Sequence, residues 1–218
     1  MITSRNSILR LSKYKNSLFR FKDLGFVKIF SNYLADAVGV TAAQVRKDFS
    51  LFGISGNKRG GYTIDSLIEK LNEILGKNIL QRAVLVGAGN IGQALLKYKG
   101  FEKEGLRILA AFDIDPSKIK RFADTPVLPL LEMSDFVKSN NVKIAVISVP
   151  EVAAQAAFEE LRAAGVKGFL NFAPIRLRSD DTCVVNNVNL EHELENVIYF
   201  VNALEKTGLR MSEEEQED

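Results

Sequence analysis

Cysteine, histidine and tryptophan are nearly absent from this chain of 218 residues, which has one Cys, one His and no Trp. A single cysteine, Cys183, cannot form an internal disulfide, and this is typical of a protein that stays in a reducing compartment. We interpret Cys183 as a small, semi-buried side chain rather than a redox-active thiol. No apolar run approaches the roughly 18 residues of a membrane span, and the first residues lack a signal-peptide core, so we expect a cytoplasmic location.

Charge is unevenly distributed along the chain. Residues 1–78 contain 13 Lys or Arg and 6 Asp or Glu, whereas residues 79–218 contain 16 and 21. Two parts of opposite sign indicate two domains with different partners, and the basic part favours a polyanion. The boundary falls at Gly76-Lys77-Asn78, and so short a linker predicts coupled rather than independent domains.

A glycine-rich turn organises the second part. The apolar run Ala83–Val86 predicts a strand buried on both faces, and Gly87, Gly89 and Gly92 follow it as G-x-G-x-x-G at the start of a helical pattern. The first glycine allows a tight turn, the second lets a pyrophosphate approach the backbone, and the third lets the helix lie close to the strand. The helix N-terminus then attracts the phosphates, which predicts a dinucleotide site.

An acidic residue at the end of the next strand indicates which dinucleotide binds. The strand predicted over Ile108–Phe112 ends in Asp113, roughly 20 residues after Gly92, where a carboxylate reaches the adenosine ribose. Such a carboxylate accepts a hydrogen bond from the 2′-OH and repels a 2′-phosphate. Because Ile114 and Asp115 follow, no adjacent arginine favours that phosphate, and NAD(H) is expected rather than NADP(H).

The remaining pattern of the second part is that of a parallel α/β sheet. Strands are expected over residues 142–149 and 167–172 and at Val184-Val185, with an alanine-rich helix over 151–164. Val149 and Pro150 follow the first of these strands and should line the ligand crevice at the carboxyl edge of the sheet.

The basic part has the pattern of a winged helix. An amphipathic helix over Ile8–Leu24 precedes two short helices, Asn32–Val38 and Ala42–Phe52, which are joined at Gly39-Val40 and capped by Ser31 and Thr41. The second short helix would expose Gln44, Arg46, Lys47 and Ser50 to DNA. Residues 53–64 predict a β-hairpin with Lys58 and Arg59 at its tip, and Asp65 would cap a helix over Ser66–Leu75. A winged helix used only as a protein contact remains the alternative.

The last predicted helix, Glu191–Leu204, has a strongly apolar stripe that must be buried. Either its own domain or a partner subunit could cover this stripe, and we favour the partner, since a winged helix that reads a palindromic site acts as a dimer. The stripe consists of Leu194, Val197, Ile198, Val201 and Leu204. The acidic residues Ser212–Asp218 are expected to be disordered.

Several of these segments together are similar to one known family. The chain resembles the redox-sensing transcriptional repressor Rex family over roughly residues 5–205. The residues that carry the resemblance are Arg10-Leu11 with Tyr14, Val45–Phe49, Phe52-Gly53, Gly61-Tyr62, Gly87–Gly92, Phe112-Asp113, Val149-Pro150, Ala154-Gln155 and Asn171–Pro174. The resemblance implies a cytoplasmic bacterial homodimer with swapped C-terminal helices, which represses fermentative and respiratory genes when NAD+ dominates and leaves double-stranded operator DNA when NADH binds.

The resemblance also implies functional residues, position by position. The expected cofactor-binding residues are Gly87, Ala88, Gly89, Asn90, Ile91, Gly92, Tyr98, Asp113, Ile114, Val149 and Pro150, with Tyr98 as the tyrosine that responds to the nicotinamide. The expected DNA-binding residues are Arg10, Ser31, Gln44, Arg46, Lys47, Ser50, Lys58, Arg59 and Tyr62. The predicted architecture is an N-terminal winged helix-turn-helix domain (1–78), a C-terminal Rossmann domain with a parallel sheet (79–189), a swapped dimerisation helix (190–208) and a disordered tail (209–218).

The chain departs from the family pattern at two places. At the wing tip Arg59 is displaced by one residue, and Lys58 stands in its place. An Asp that precedes the last helix in the family is Asn189 here, and the basic residue with which it pairs in some members is Asn16. Two asparagines hydrogen-bond more weakly than an ion-assisted pair, so the redox response of this chain is expected to differ from that of such members.

Two other functions remain open at the level of sequence. An NAD-dependent dehydrogenase would need an acid–base group near the nicotinamide, and the only histidine, His192, lies between two glutamates where a surface position is expected. Lysine or tyrosine could serve instead, so this alternative stays. A DNA-binding regulator whose nucleotide cleft has lost its ligand is the other. We predict no catalytic residue and no metal site.

Overall fold

The computed structural model describes residues 4–57, 60–121, 123–178 and 180–214. The chain divides into two compact units, 1–80 and 81–218. The boundary predicted from the sequence lies two residues earlier, after residue 78. Each unit has a hydrophobic core of its own.

The N-terminal unit is mainly helical. Four helices and two short strands in the described part of this unit surround a core that includes Tyr14, Leu34 and Phe49, all fully buried. Its elements are α1 (Arg5–Asp23), β1 (Lys28–Ile29), α2 (Ser31–Val38), α3 (Ala42–Leu51), β2 (Tyr62–Thr63) and α4 (Ile64–Ile74).

The helix-turn-helix is confirmed. Gly39 ends α2 in the left-handed conformation, with φ of 73°, which a residue with a side chain rarely adopts. The Thr41 side chain caps α3 by accepting a hydrogen bond from the backbone N–H of Gln44 at 3.1 Å.

Two of the predicted caps are wrong. The N-cap of α2 is Phe30 rather than Ser31, and the N-cap of α4 is Thr63 rather than Asp65, which lies in the first turn. Neither N-cap side chain makes a capping hydrogen bond. The chain enters both helices directly from a strand, so Phe30 and Thr63 already have the extended backbone that an N-cap requires.

The strand pairing in this unit also differs from the prediction. The stretch Lys28–Ile29, for which the sequence analysis gives no strand, is strand β1, and it pairs antiparallel with β2. Between residues 53 and 64, the described part of the expected hairpin has one isolated bridge, Asn57 to Gly61. The predicted tip residues Lys58 and Arg59 lie outside the described residues.

The C-terminal unit is a doubly wound α/β domain, as expected. All neighbouring strands in its six-stranded sheet are parallel, in the order β5-β4-β3-β6-β7-β8. Numbered within the unit, this is the order 3-2-1-4-5-6 of a Rossmann fold. The strands are β3 (Gln81–Val86), β4 (Leu106–Asp113), β5 (Val127–Pro129), β6 (Ile144–Ile147), β7 (Gly168–Asn171) and β8 (Val184–Asn187).

Helices cover both faces of this sheet. Alternate residues of β3 belong to two different core clusters, Val84 and Val86 to one and Ala83 and Leu85 to the other, because successive side chains of a strand point to opposite faces. The helices are α5 (Asn90–Lys97), α6 (Gly100–Lys103), α7 (Met133–Ser139) and α8 (Glu151–Ala163), with one-turn 3-10 helices at Pro116–Lys118 and Leu130–Glu132.

The last helix, α9, runs from Leu190 to Glu214. It therefore includes residues 209–214, which were expected to belong to the disordered tail 209–218. Leucine, arginine, methionine and glutamate are good helix formers, and no proline stands among residues 209–218, so the helix continues. Among residues 190–206, none is buried. Of the helices in the described part of the chain, none is long and apolar enough to cross a membrane.

Candidate nucleotide cleft and nucleic-acid interface

A cleft of about 690 Å³ opens at the carboxyl edge of the parallel sheet. It lies where β3 and β6 are neighbours and the strand order reverses, which is where open α/β sheets bind their ligands. The turn after β3, at Gly87 and Gly89, lines one side, and Ser148 to Pro150 after β6 line another.

The three glycines of the turn differ in what surrounds them. A Cβ on Gly87 would lie 2.4 Å from the carbonyl oxygen of Ser148, and its φ is +92°. A Cβ on Gly92 would lie 2.0 Å from the carbonyl oxygen of Gly87. No atom lies within 4 Å of the Cβ position of Gly89, which is the N-cap of α5. Gly87 and Gly92 are therefore needed for packing, whereas the space at Gly89 faces the cleft and suits a phosphate.

Ser148 holds the turn in place. Its hydroxyl donates to the carbonyl oxygens of Gly87 at 2.8 Å and Val86 at 3.2 Å, and its backbone N–H donates to Val86 at 2.8 Å. The end of β6 is thus fixed to the glycine turn.

Asp113 ends β4 and is buried at the cleft, with 7% of its surface exposed. Its Oδ2 accepts from the backbone N–H of Ala88 at 2.7 Å and from Lys118 Nζ at 3.2 Å, and its Oδ1 accepts from the backbone N–H of Asp115 at 2.9 Å. Burial acts to raise the pKa of Asp113, but these hydrogen bonds and the charge of Lys118 outweigh burial and hold the pKa below its usual value. Asp113 is therefore ionised at neutral pH.

Most of the predicted cofactor residues line this cleft. They are Gly87, Gly89, Asn90, Ile91, Asp113, Ile114, Val149 and Pro150. Three others do not: Ala88 contributes its backbone N–H to Asp113, Gly92 packs under the turn, and Tyr98 stands at the C-terminal end of α5. The Tyr98 side chain is 60% exposed, and its ring packs edge-on against Phe101 at 5.0 Å between centroids.

Sequence reasoning missed several residues that line the cleft. They are Asp115, Lys118, Leu130, Ser148, Ala153, Ala156, Ala157 and Glu160, together with Val86 and Phe112. The Glu160 carboxylate accepts a hydrogen bond from the Ser134 hydroxyl at 2.9 Å. The spacing of Ala153, Ala156 and Ala157 on one side of α8 was a usable signal, since residues three and four apart share a helix face.

In the N-terminal unit, α3 has the exposed polar surface that the sequence predicts. Arg46, Lys47 and Ser50 are exposed. Arg46 Nη1 donates to the Ser31 hydroxyl at 3.1 Å, which places Ser31, at the start of α2, beside α3.

Two other predicted DNA contacts are engaged inside the unit. Asp48, which is 2% exposed, accepts hydrogen bonds from the Arg10 guanidinium, from the Tyr14 hydroxyl at 2.9 Å and from the Gln44 amide at 2.9 Å. Burial acts to raise the pKa of Asp48, but the hydrogen bonds from these three side chains outweigh it and hold the pKa below its usual value. Arg10 and Gln44 are thus partners of a buried carboxylate.

Tyr62, also predicted to contact DNA, is half-buried. Its ring packs edge-on against Phe49 at 5.1 Å. Burial raises the pKa of its hydroxyl, and the positive charge of Arg46 partly opposes this.

Among the described residues there is no group of three or more His, Cys, Asp or Glu that could hold a metal ion. His192 is exposed at the start of α9. The side chain of Asn189 accepts from the backbone N–H groups of Glu191 at 2.9 Å and His192 at 3.2 Å, so Asn189 caps α9.

Two family models match the chain. One, described as a putative DNA-binding protein N-terminus, covers residues 3–50, and the other, described as a CoA binding domain, covers residues 78–175. Among solved structures, RSP, a Rex-family repressor, is 33% identical with a TM-score of 0.84, covering 94% of this chain and 96% of RSP. RSP in complex with NAD+ and operator DNA has a TM-score of 0.88, covering 95% of this chain and 96% of RSP.

Curated relatives agree with the structural match. The redox-sensing transcriptional repressor Rex of Desulforamulus reducens is 43% identical to this chain, and the match covers 92% of this chain and 96% of the relative. The repressor Rex of Carboxydothermus hydrogenoformans is 42% identical, and the match covers 87% of this chain and 91% of the relative. The repressor Rex of Clostridioides difficile is 40% identical, and the match covers 89% of this chain and 93% of the relative. These relatives are named as repressors rather than dehydrogenases, and the resemblance predicted from the sequence is confirmed: the chain belongs to the Rex family of redox-sensing transcriptional repressors.

Proposed function

We propose that this chain is an NADH/NAD+-responsive transcriptional repressor that binds palindromic operator DNA as a homodimer and is released from it by NADH. The observation that carries the proposal is the combination, in one Rex-family chain, of a helix-turn-helix with an exposed basic face and a Rossmann cleft with a glycine turn and a buried carboxylate. One part contacts the DNA, and the other responds to the coenzyme.

In the cleft, the pyrophosphate of the dinucleotide would lie at Gly89 and the N-terminus of α5, and Asp113 would accept a hydrogen bond from the adenosine ribose. Ile91, Val149 and Pro150 would contact the cofactor from the two sides of the switch point. Ala88 and Gly92 would contribute by keeping the glycine turn after β3 in its observed shape. Structures of the related RSP with NADH, and with NAD+ and operator DNA, support this choice of ligand.

On the DNA side, Arg46, Lys47 and Ser50 of α3 would enter the major groove, with Ser31 beside them and the wing residues Lys58 and Arg59 in the minor groove. Arg10 and Gln44 would support this surface through Asp48 rather than read bases. Tyr62 would support the wing.

Dimerisation would occur through α9, in the segment 190–208 that the sequence analysis assigns to a swapped helix. Eight of its large apolar side chains are between 47% and 73% exposed in the single chain: Leu190, Leu194, Val197, Ile198, Tyr199, Phe200, Val201 and Leu204. Within residues 190–206, the chain does not bury this face against itself, which favours a partner subunit over its own domain. Operator DNA and NADH are both found in the bacterial cytoplasm, where we place the protein.

NADH differs from NAD+ in lacking the positive charge on the nicotinamide ring, and only a state that senses this difference can respond. A ligand shifts an equilibrium between DNA-binding and released dimers only by its differential affinity for the two. Tyr98, exposed at the end of α5, is the residue that we assign to this response. Since the side-chain oxygen of Asn189 caps α9, a contact with Asn16 would use the Asn189 amide N–H groups as donors.

The test is the affinity of the purified protein for operator DNA at fixed total nucleotide and varied NADH/NAD+ ratio. Affinity should fall as NADH replaces NAD+. An affinity that does not depend on the ratio would contradict the proposal, and production of NADH from candidate alcohols would favour the dehydrogenase alternative.

A further inference from the structure

We infer that Lys118 is a specificity-determining residue of the nucleotide cleft: its ammonium group binds the adenosine ribose beside Asp113 and weakens the discrimination of the cleft against a 2′-phosphate. This inference rests on the proposed function, because it takes the cleft to bind NAD(H). Lys118 does not enter the prediction from sequence, because the residues adjacent to Asp113 are Ile114 and Asp115 and neither is a cation.

Asp113 has few acceptor sites left for a ligand. A carboxylate has about four lone-pair sites for hydrogen bonds. Three are occupied, by the backbone N–H groups of Ala88 and Asp115 and by Lys118 Nζ. A ribose diol has two hydroxyl groups, so Asp113 can accept a hydrogen bond from only one of them without losing a bond that it already has.

Lys118 is placed to bind the other hydroxyl. It closes the 3-10 turn Pro116–Lys118 after β4, and its side chain lines the cleft with 33% of its surface exposed. An ammonium group has three N–H donors, and the bond to Asp113 uses one. A second N–H can therefore donate to the hydroxyl oxygen that Asp113 leaves unsatisfied.

Holding Asp113 in place does not require Lys118. The two backbone N–H groups already fix the carboxylate at 2.7 and 2.9 Å, which are shorter contacts than the 3.2 Å to Lys118. The longest of the three bonds is also the one that comes from a flexible side chain. Lys118 is therefore free to move toward a ligand with little loss for Asp113.

Lys118 also changes the charge at the ribose end of the cleft. Lys118 Nζ lies 3.2 Å from Asp113 and 3.9 Å from Asp115, so the three side chains together carry a charge of −1 rather than the −2 of the two carboxylates alone. A phosphate monoester carries about −1.5 to −2 at neutral pH. Lys118 attracts a 2′-phosphate and offsets part of the repulsion by the two carboxylates.

The experiment measures NADH binding by fluorescence and NADPH binding by competition, on the full-length protein. Lys118→Met should weaken NADH binding by about 10- to 150-fold, since a hydrogen bond from a charged group contributes about 1.5–3 kcal/mol. It should weaken NADPH binding more, so the NADH preference rises. Asp115→Asn should lower that preference. Lys118→Arg should recover part of the lost affinity, and Lys120→Met, an exposed lysine outside the cleft lining, is the matched control.

Direct contact is tested with the 2′-deoxy and 3′-deoxy forms of the adenosine ribose in NADH. With one of the two analogues, Lys118→Met should cause no further loss of affinity, because the hydroxyl that Lys118 binds is missing. If Lys118→Met binds NADH and NADPH like Lys120→Met, or if its loss persists with both analogues, the inference is wrong while the proposed function stands. If the unmodified protein fails to bind NADH, both are wrong.

Discussion

The Arg10 guanidinium donates to both carboxylate oxygens of Asp48, from Nε to Oδ2 at 2.6 Å and from Nη2 to Oδ1 at 2.7 Å. This bidentate pair joins α1 to the middle of α3, the helix that carries the exposed Arg46 and Lys47. The sequence analysis assigned Arg10 to DNA. Its position beside a buried carboxylate fixes α1 to α3 at this point.

Arg10→Met should destabilise the N-terminal unit by about 3 kcal/mol, because it leaves the Asp48 carboxylate buried without its cation. Hydrogen exchange of the α1 and α3 amides measures this as a lower free energy of opening. Lys22→Met is the control, since it breaks an exposed pair with Asp65 and should have a much smaller effect. Equal effects of the two variants would contradict the role of the Arg10–Asp48 pair.

The same pair should make the N-terminal unit sensitive to acid. The pKa of Asp48 is lowered in the folded chain, so its contribution to stability is fully present above its ordinary unfolded pKa, about 3.9, and is lost as pH falls through the lower folded value. The difference in opening free energy between the unmodified chain and Asp48→Asn should therefore be largest at pH 6–7 (approximately) and shrink below about pH 4. A difference that stays constant across this range would show that the charge of Asp48 does not stabilise the unit.

The features that the sequence predicted correctly follow from short-range patterns or from the topology of parallel strands. Gly39 and Thr41 mark the helix-turn-helix because a left-handed turn and a cap depend on residues a few positions apart. Asp113 lies beside the glycine turn because parallel strands that neighbour each other end at the same edge.

The features that it missed depend on contacts between distant residues. The pairing of β1 with β2 and the Arg10–Asp48 pair each join segments more than 30 residues apart, with no signal in either segment alone. Lys118 is close in sequence to Asp113, but only the 3-10 turn after β4 brings its ammonium group back to the cleft. Gln44 is only partly exposed because its amide has a buried partner, Asp48.

The three glycines of the turn should separate folding from ligand binding. Gly92→Ala and Gly87→Ala introduce a Cβ within 2.4 Å of a backbone carbonyl oxygen, and each should lower the stability of the C-terminal unit by about 1–3 kcal/mol. Gly89→Ala has open space and a negative φ of −75°, so stability should be unchanged while NADH affinity falls. Thermal unfolding and NADH titration measure the two quantities. An unchanged NADH affinity of Gly89→Ala would argue against the phosphate position.

Lys47, Arg46 and Gln44 should differ in their effects on DNA binding. Lys47→Ala should weaken binding to all sequences alike and lower the salt dependence of log Kd by about 1 per subunit. Arg46→Ala should weaken the free energy of operator binding by about 1–3 kcal/mol and relax the base preference. Gln44→Ala should leave the base preference unchanged, because its amide donates to Asp48. Competition with operator variants at several salt concentrations checks all three, and a change of base preference in Gln44→Ala would restore it as a base-reading residue.

The apolar face of α9 should decide whether the protein binds its operator. Val201→Glu places a charge among side chains that are apolar and exposed in the single chain, so the desolvation of that charge should prevent association and leave a monomer. A monomer presents one α3 to a two-fold operator and should lose most of its specific affinity. Asn196→Glu, a charge added at an exposed polar position of the same helix, is the matched control and should remain dimeric. Analytical ultracentrifugation and operator titration follow the two effects, while NADH titration should show that the cleft of Val201→Glu still binds its ligand. If Val201→Glu stays dimeric, the surfaces that associate lie elsewhere than on this face of α9.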